Sequence, residues 1–259
     1  MDVVGVEGAF SFLKQVDWTA RAAAERRIKR KIQAVMKDYL DKAERAVRRG
    51  AEFDYDGMAA ELRAAVQPEL AQMVVGQALS TSADVGIVFD PTIINTDALR
   101  WAREYSYELV RGLTETTRRQ ISEVVQSFIE TPGMTQGDIR KLLEPAFGPV
   151  RAELIATTET TRSYAAATNE IQRQVNQTGL QMRRIWQTQN DELVCDICGP
   201  LNQHPEEDWR AEYPDGPPAH PGCRCGTTLT AAPQETIQGW IDEAEWVRAQ
   251  TLEAMNAGR

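Results

Sequence analysis

All four cysteines of this 259-residue chain fall within 31 residues, as Cys195-x-x-Cys198 and then His220-x-x-Cys223-x-Cys225. Two short clusters of soft ligands, with 21 residues between Cys198 and His220, suit a closed tetrahedral zinc site that takes two donors from each of two knuckles. Such a site pins a small unit that cannot bury enough core of its own. It constrains the fold strongly, because the chain must double back until both clusters meet. Four or five protein donors leave no coordination position for water, so the pattern points to structural rather than catalytic metal. The expected set is Cys195, Cys198, His220 and one of Cys223 and Cys225, since residues two apart in an extended chain do not easily chelate together. Which four of the five bind is left open.

Competing chemistries fit less well. A Cys-x-x-Cys redox pair opens a helix after a strand, whereas Gly199-Pro200 directly after Cys198 makes a turn. Two disulfides suit an exported chain, but the run from Val3 to Val16 is broken by Glu7 and Lys14 and lacks a basic start. The expectation is a reducing, cytosolic origin that keeps the thiolates for metal. His204, set among acidic and proline neighbours, is expected to face solvent.

Charge is uneven along the chain. The formal net charge of -9 argues against a nucleic-acid coat. Residues 21–49 nevertheless hold eleven Lys and Arg against four Asp and Glu, while residues 191–216 hold eight acidic residues and one arginine. The basic stretch is a candidate DNA contact, and more simply the wet face of a helix, because its charges interleave with apolar residues. No apolar run reaches the length of a membrane span.

The spacing of apolar residues predicts a mainly α fold. Ile28, Ile32, Met36, Leu40 and Val47 recur at helical period between Thr19 and Arg49, and Gly50 stops that helix. A second helix is expected over 58–79, kinked or split by Pro68. Residues 81–96 read as a loop, with a possible short strand at Val85–Phe89. A third helix is expected from an Asp97 cap through Phe128, and a fourth behind the Thr135-x-x-Asp138 capping box. A helix of about 25 residues follows Gly148-Pro149. The pattern changes at Gly179: Met182–Thr188 and Arg224–Leu229 are expected to pair as strands around the metal knuckles. A terminal helix is expected over 235–256, with Trp240 and Trp246 available for packing. The resulting organisation is an N-terminal helical region (1–96), a central unit (97–230) whose knuckles occupy 180–230, and a C-terminal helix (231–259).

Two motifs carry a family resemblance. The run Arg151-Ala152-Glu153-Leu154-Ile155-Ala156-Thr157-Thr158-Glu159-Thr160-Thr161-Arg162 resembles a helix of phage head morphogenesis proteins. Trp186, Thr188, Asp191, Val194, Cys195, Cys198 and Leu201, then Pro218, His220, Pro221, Cys223, Arg224 and Cys225, resemble the family's second half. The chain is similar over roughly 98–230 to Mu F-like minor head proteins. It departs where a basic residue usual beside Thr158 is Thr157, and where a turn glycine after Leu201 is replaced by Asn202-Gln203. The resemblance implies a minor capsid component of the virion, acting in phage head assembly near the portal, with portal, major capsid or scaffold protein as partners. It also implies a possible part in DNA packaging or ejection, and residence in host cytoplasm during assembly.

The remaining site residues follow from these motifs. Arg151, Glu159 and Arg162 share one side of their helix and are expected, with Asp191 and Arg224, to join the helical body to the zinc unit. Glu159 is expected to accept hydrogen bonds from backbone or from Arg224. Trp186 is expected beneath the knuckles. A metal-dependent nuclease or hydrolase, or a DNA-binding zinc protein, is the alternative. It lacks a His-Glu-x-x-His helix, an acidic-histidine array and a phosphate-binding glycine loop. The chain is therefore expected not to be an enzyme.

Overall fold

The computed structural model describes residues 16–86, 90–233, 246 and 248. Among the described residues, five α-helices precede a two-stranded antiparallel sheet: α1 (Trp18–Arg49), α2 (Tyr55–Asp84), α3 (Pro91–Glu130), α4 (Gln136–Phe147), α5 (Pro149–Gln177), β1 (Met182–Gln187) and β2 (Gly226–Ala231). The fold is thus a helical body with a small C-terminal hairpin beside a cysteine–histidine cluster.

Local chemistry sets the helix ends. The Asp17 carboxylate accepts from the Ala20 N–H at 2.9 Å, and Gly50 closes α1 in the left-handed region at φ 61°. Thr135 and Asp138 form the expected capping box at the start of α4. Between these ends the apolar stripes meet. Ile28, Ile32 and Met36 of α1 pack with Leu62, Val66 and Leu70 of α2, Val110 of α3, Leu143 of α4 and Ala156 of α5 in one continuous core. A second cluster joins Val74, Ala98, Ile171 and Val175 to Met182 and Leu229 of the hairpin. That cluster seats the sheet on the body.

Several boundaries differ from the sequence-based expectation. α2 runs on to Asp84 and α3 starts at Pro91, so most of 81–96 is helical. The signal was Asp90-Pro91: the Asp90 carboxylate accepts from the Thr92 N–H at 2.8 Å, and proline is favoured in a first helical turn. Asp97 is not a cap but lies within α3, where it pairs with Arg100 at 2.6 Å. Val85 and Gly86 form a turn rather than a strand, and 87–89 lie outside the described residues. Pro68 does not split α2. Fully buried Val66 and Leu70 flank it, and that packing outweighs one lost backbone bond. β2 begins two residues later than expected. The 235–256 helix lies outside the described residues except for helical Trp246 and Arg248.

The basic stretch is largely engaged within the molecule. Arg27 and Lys31 pair with Glu69 of α2, Lys29 pairs with Glu153 of α5, and Arg21 is buried. Arg26 and Arg30 remain exposed. No helix among the described residues is long and apolar enough to cross a membrane.

Candidate metal centre

The first knuckle follows β1. Asp191 accepts from the Leu193 N–H at 3.0 Å, and the Cys198 N–H points at Cys195 Sγ at 3.4 Å. Gly199–Leu201 then makes a single 3-10 turn. The second knuckle turns at Gly222 (φ 78°), and the Cys223 N–H donates to the His220 carbonyl at 3.1 Å. Both clusters are thereby folded toward each other.

Five donor atoms converge. His220 Nε2 lies 3.1 Å from Cys195 Sγ and 3.4 Å from Cys198 Sγ, and Cys198 Sγ lies 3.7 Å from Cys223 Sγ. Cys195, Cys198 and His220 form one group, and Cys198, Cys223 and Cys225 another, with all ligand atoms in each group within 4.8 Å. A zinc tetrahedron with arms of about 2.3 Å has sulfur–sulfur edges of about 3.8 Å, so the spacing within each group, joined through Cys198, is of the size a metal ion needs. The histidine tautomer fits as well. A carbonyl only accepts, so the 2.8 Å contact between His220 Nδ1 and Pro221 O puts the proton on Nδ1 and turns the Nε2 lone pair to the sulfurs.

Cys223 and Cys225, two apart in sequence, are not expected to chelate together easily if the chain between them is extended. A strand would hold residues two apart at about 6.6 Å. Here β2 starts only at Gly226, residues 223–225 follow a turn at 221–222 and are not in a strand, and both sulfurs lie within 4.8 Å of Cys198 Sγ.

The ionisation of the cluster is uneven. Contacts with Cys198 and Cys225 pull Cys223 down to about 2, and contacts with Cys223 and Cys225 push Cys198 up. For Cys225, Cys198 pulls downward, but Cys223 and burial prevail and push it up to about 12. Burial raises Cys195, yet the backbone N–H groups of Cys198 and Ile197 hold it below the ordinary thiol value. Like charges this close oppose one another, and a cation among them favours the thiolate form at every sulfur.

Helices hold the centre from below. Thr158 Oγ1 accepts from the Gly222 N–H at 2.8 Å, Thr161 donates to the Cys223 carbonyl, and Arg21 of α1 donates to both the Cys225 carbonyl and Thr161. Arg21, Thr158 and Thr161 were not singled out from sequence. The available signal was four threonines among the five residues 157–161 of one helix, a composition that propensity does not favour.

Trp186 is fully buried, 5.2 Å edge-on to Trp209, in a small core with Cys198, Cys223 and Cys225. Arg224 grips Asp191 through both guanidinium nitrogens, at 2.7 and 2.6 Å, and reaches Gln189 at 2.8 Å. Glu159 does not join that pair. It is buried against α3, where Tyr105 donates to it at 2.5 Å and Arg162 lies 3.9 Å away. Arg151 also faces α3 and donates to the Leu113 carbonyl, Thr117 and Gln120. These α5 residues therefore brace the helical body, while the threonines carry the knuckles. His204 is exposed, with Nδ1 2.8 Å from Asp208.

The family model described as Phage Mu protein F like protein matches residues 119–228, from the second half of α3 into β2. No curated protein and no solved structure matches the chain. The match spans the threonine-rich helix and all five metal-ligand candidates, so residues 119–228 form a domain of the Phage Mu protein F-like family.

Proposed function

We propose that the protein is a structural minor head component of a tailed phage, acting in head assembly near the portal and carried in the virion. The observation that carries this reading is the family match over 119–228, the stretch that contains both the body-bracing helix and the cysteine–histidine centre. Portal, major capsid or scaffold protein would be its partners, and packaging or ejection of DNA the later steps it serves.

The centre is a fastening rather than a reaction site in this reading. Five protein donors surround it, and the cavity beside them is only about 30 Å³, lined by Leu193, Val194 and Arg224 among others. That leaves no room for a substrate. Zinc would be held by Cys195, Cys198, His220 and Cys223, whose close contacts form an unbroken chain, with Cys225 as a neighbouring thiol beside Trp186. It would supply charge balance and cross-linking, and no chemistry.

Metal analysis of the purified chain is expected to give about one zinc per molecule. Cys223→Ser is expected to weaken binding sharply and Cys225→Ser to leave it largely intact; the opposite order would replace Cys223 by Cys225 in the set. For the assembly role, electron microscopy of labelled heads is expected to find a few copies at the portal vertex. Purified heads that lack the chain would overturn that role.

A further inference from the structure

Arg21 stands apart from every other cation near the centre. It belongs to α1, far outside the family-matched stretch, and is only 3% exposed. Its guanidinium lies 5.3 Å from the Trp18 ring centre and 5.8 Å from that of Tyr164, and donates to Thr161 and the Cys225 carbonyl. Arg224 spends its charge on Asp191, and Arg27 spends its own on Glu69. Among the described residues no carboxylate lies at ion-pair distance from Arg21; Glu25 instead accepts from Thr157 at 2.7 Å. A buried cation without a carboxylate partner is costly unless some other negative charge offsets it. The negative charges that act on it are those of Cys223, first, then Glu25 and Cys225.

A second contact joins the same elements. A side chain at Gly226 would meet Val16 Cγ2 at 2.9 Å, so Val16, just before α1, rests directly on the backbone that follows Cys225. The first turns of α1 and the second knuckle are therefore one packed joint, bridged by Arg21 and Thr161.

We infer that Arg21 is the charge complement and positioning residue of the metal–thiolate centre, so that metal occupancy locks the N-terminal helix onto the family domain. This rests on the metal reading above. Three cysteine thiolates and one imidazole around a divalent ion leave a net negative centre, and a fixed guanidinium on its backbone side favours that state. Because binding linkage is reciprocal, metal that tightens the α1 joint must itself be bound more tightly when the joint is intact.

The test uses the full chain. Zinc affinity is measured by competition with a chromophoric chelator for the wild type, Arg21→Gln, Arg21→Lys and Arg27→Gln. Hydrogen exchange across 16–28 is followed in the wild type with zinc and after chelation. Arg21→Gln is expected to weaken zinc binding about 10–100-fold, the range typical of lost outer-shell partners. Arg21→Lys should recover part of that loss, Arg27→Gln should bind as the wild type does, and chelation should speed exchange in the first turns of α1. Should Arg21→Gln not fold, the exchange change in the wild type and the Arg21→Lys affinity decide. Unchanged exchange, or unchanged affinity in the folded Arg21 variants, overturns the inference while leaving the metal reading standing. A wild type that binds no zinc overturns both.

Discussion

The Glu159 carboxylate is buried with a single phenol donor, and its electrostatics give a testable sign. Burial pushes its pKa up, against the downward pull of the Tyr105 hydrogen bond and of Arg162. A carboxyl group raised in the folded state holds its proton more tightly there than in the unfolded chain. Its contribution to stability is therefore fullest below the unfolded value and is lost as pH rises through the raised folded value. Glu159→Gln should flatten that part of the pH profile. Tyr105→Phe strips the buried Glu159 side chain of its hydrogen-bond partner and should cost on the order of 1–3 kcal/mol. In the Glu159→Gln background the cost should shrink, and urea unfolding of the four-member cycle measures the difference. Equal costs in both backgrounds would show that the pair is not coupled. Gln203 offers a simpler case. Its backbone sits at φ 65°, in the left-handed region, at the place where a turn glycine was noted as missing. Gln203→Gly should stabilise by up to about 1 kcal/mol, since the strain removed exceeds the added chain entropy; a lower thermal midpoint would contradict this. The departure was legible from sequence, but its backbone angle was not, because no local pattern states which of Asn202 and Gln203 takes the turn.

Elements are joined here by buried polar side chains as much as by apolar faces. Arg184 of β1 donates through Nε to Glu206 at 2.8 Å and through Nη1 to Asn169 of α5 at 2.6 Å, while it covers Trp209 at 5.0 Å. Gln172 of α5 donates to the same Glu206 at 2.5 Å. The acidic segment around Glu206 is thus anchored to α5 and to β1 together, and the backbone of 203–204 pairs with Trp186. Removing one partner of such a buried pair leaves an uncompensated charge. Arg184→Met should cost on the order of 3–5 kcal/mol, with unfolding monitored by the burial of Trp186 and Trp209; a cost near zero would mean that Glu206 finds another donor. The element pattern itself was readable, since apolar periodicity located α1, α4, α5 and both strands closely. The joints were not. An acidic run at 206–215 looks solvated in one dimension, and only the fold shows that Glu206 turns inward. The Asp90-Pro91 start was legible but lost to a nearby Asp97 with the same capping chemistry.

At the scale of the molecule, two kinds of core share one chain. The helical body is held by a large apolar cluster drawn from all five helices, in which Ile28, Val66 and Leu143 are wholly buried. The knuckle unit has only a small core, with Trp186 and Trp209 packed against three cysteines, and a two-stranded sheet is marginal without further support. Cysteine spacing announced the second core because ligands are sparse and their chemistry is narrow. It did not announce that the unit rests on α1 as well as α5, since contacts between residues 21 and 225 leave no periodic trace. The division of labour predicts a split response to metal removal. A strong chelator should release the knuckle unit, lowering near-ultraviolet circular dichroism and shifting tryptophan emission to the red as Trp186 and Trp209 meet water. Far-ultraviolet helical signal should persist, because the apolar contacts of the body do not pass through the sulfurs. Joint loss of both signals would mean that the knuckles hold the body together, and loss of neither would mean that Trp186, Trp209 and the hairpin suffice without metal.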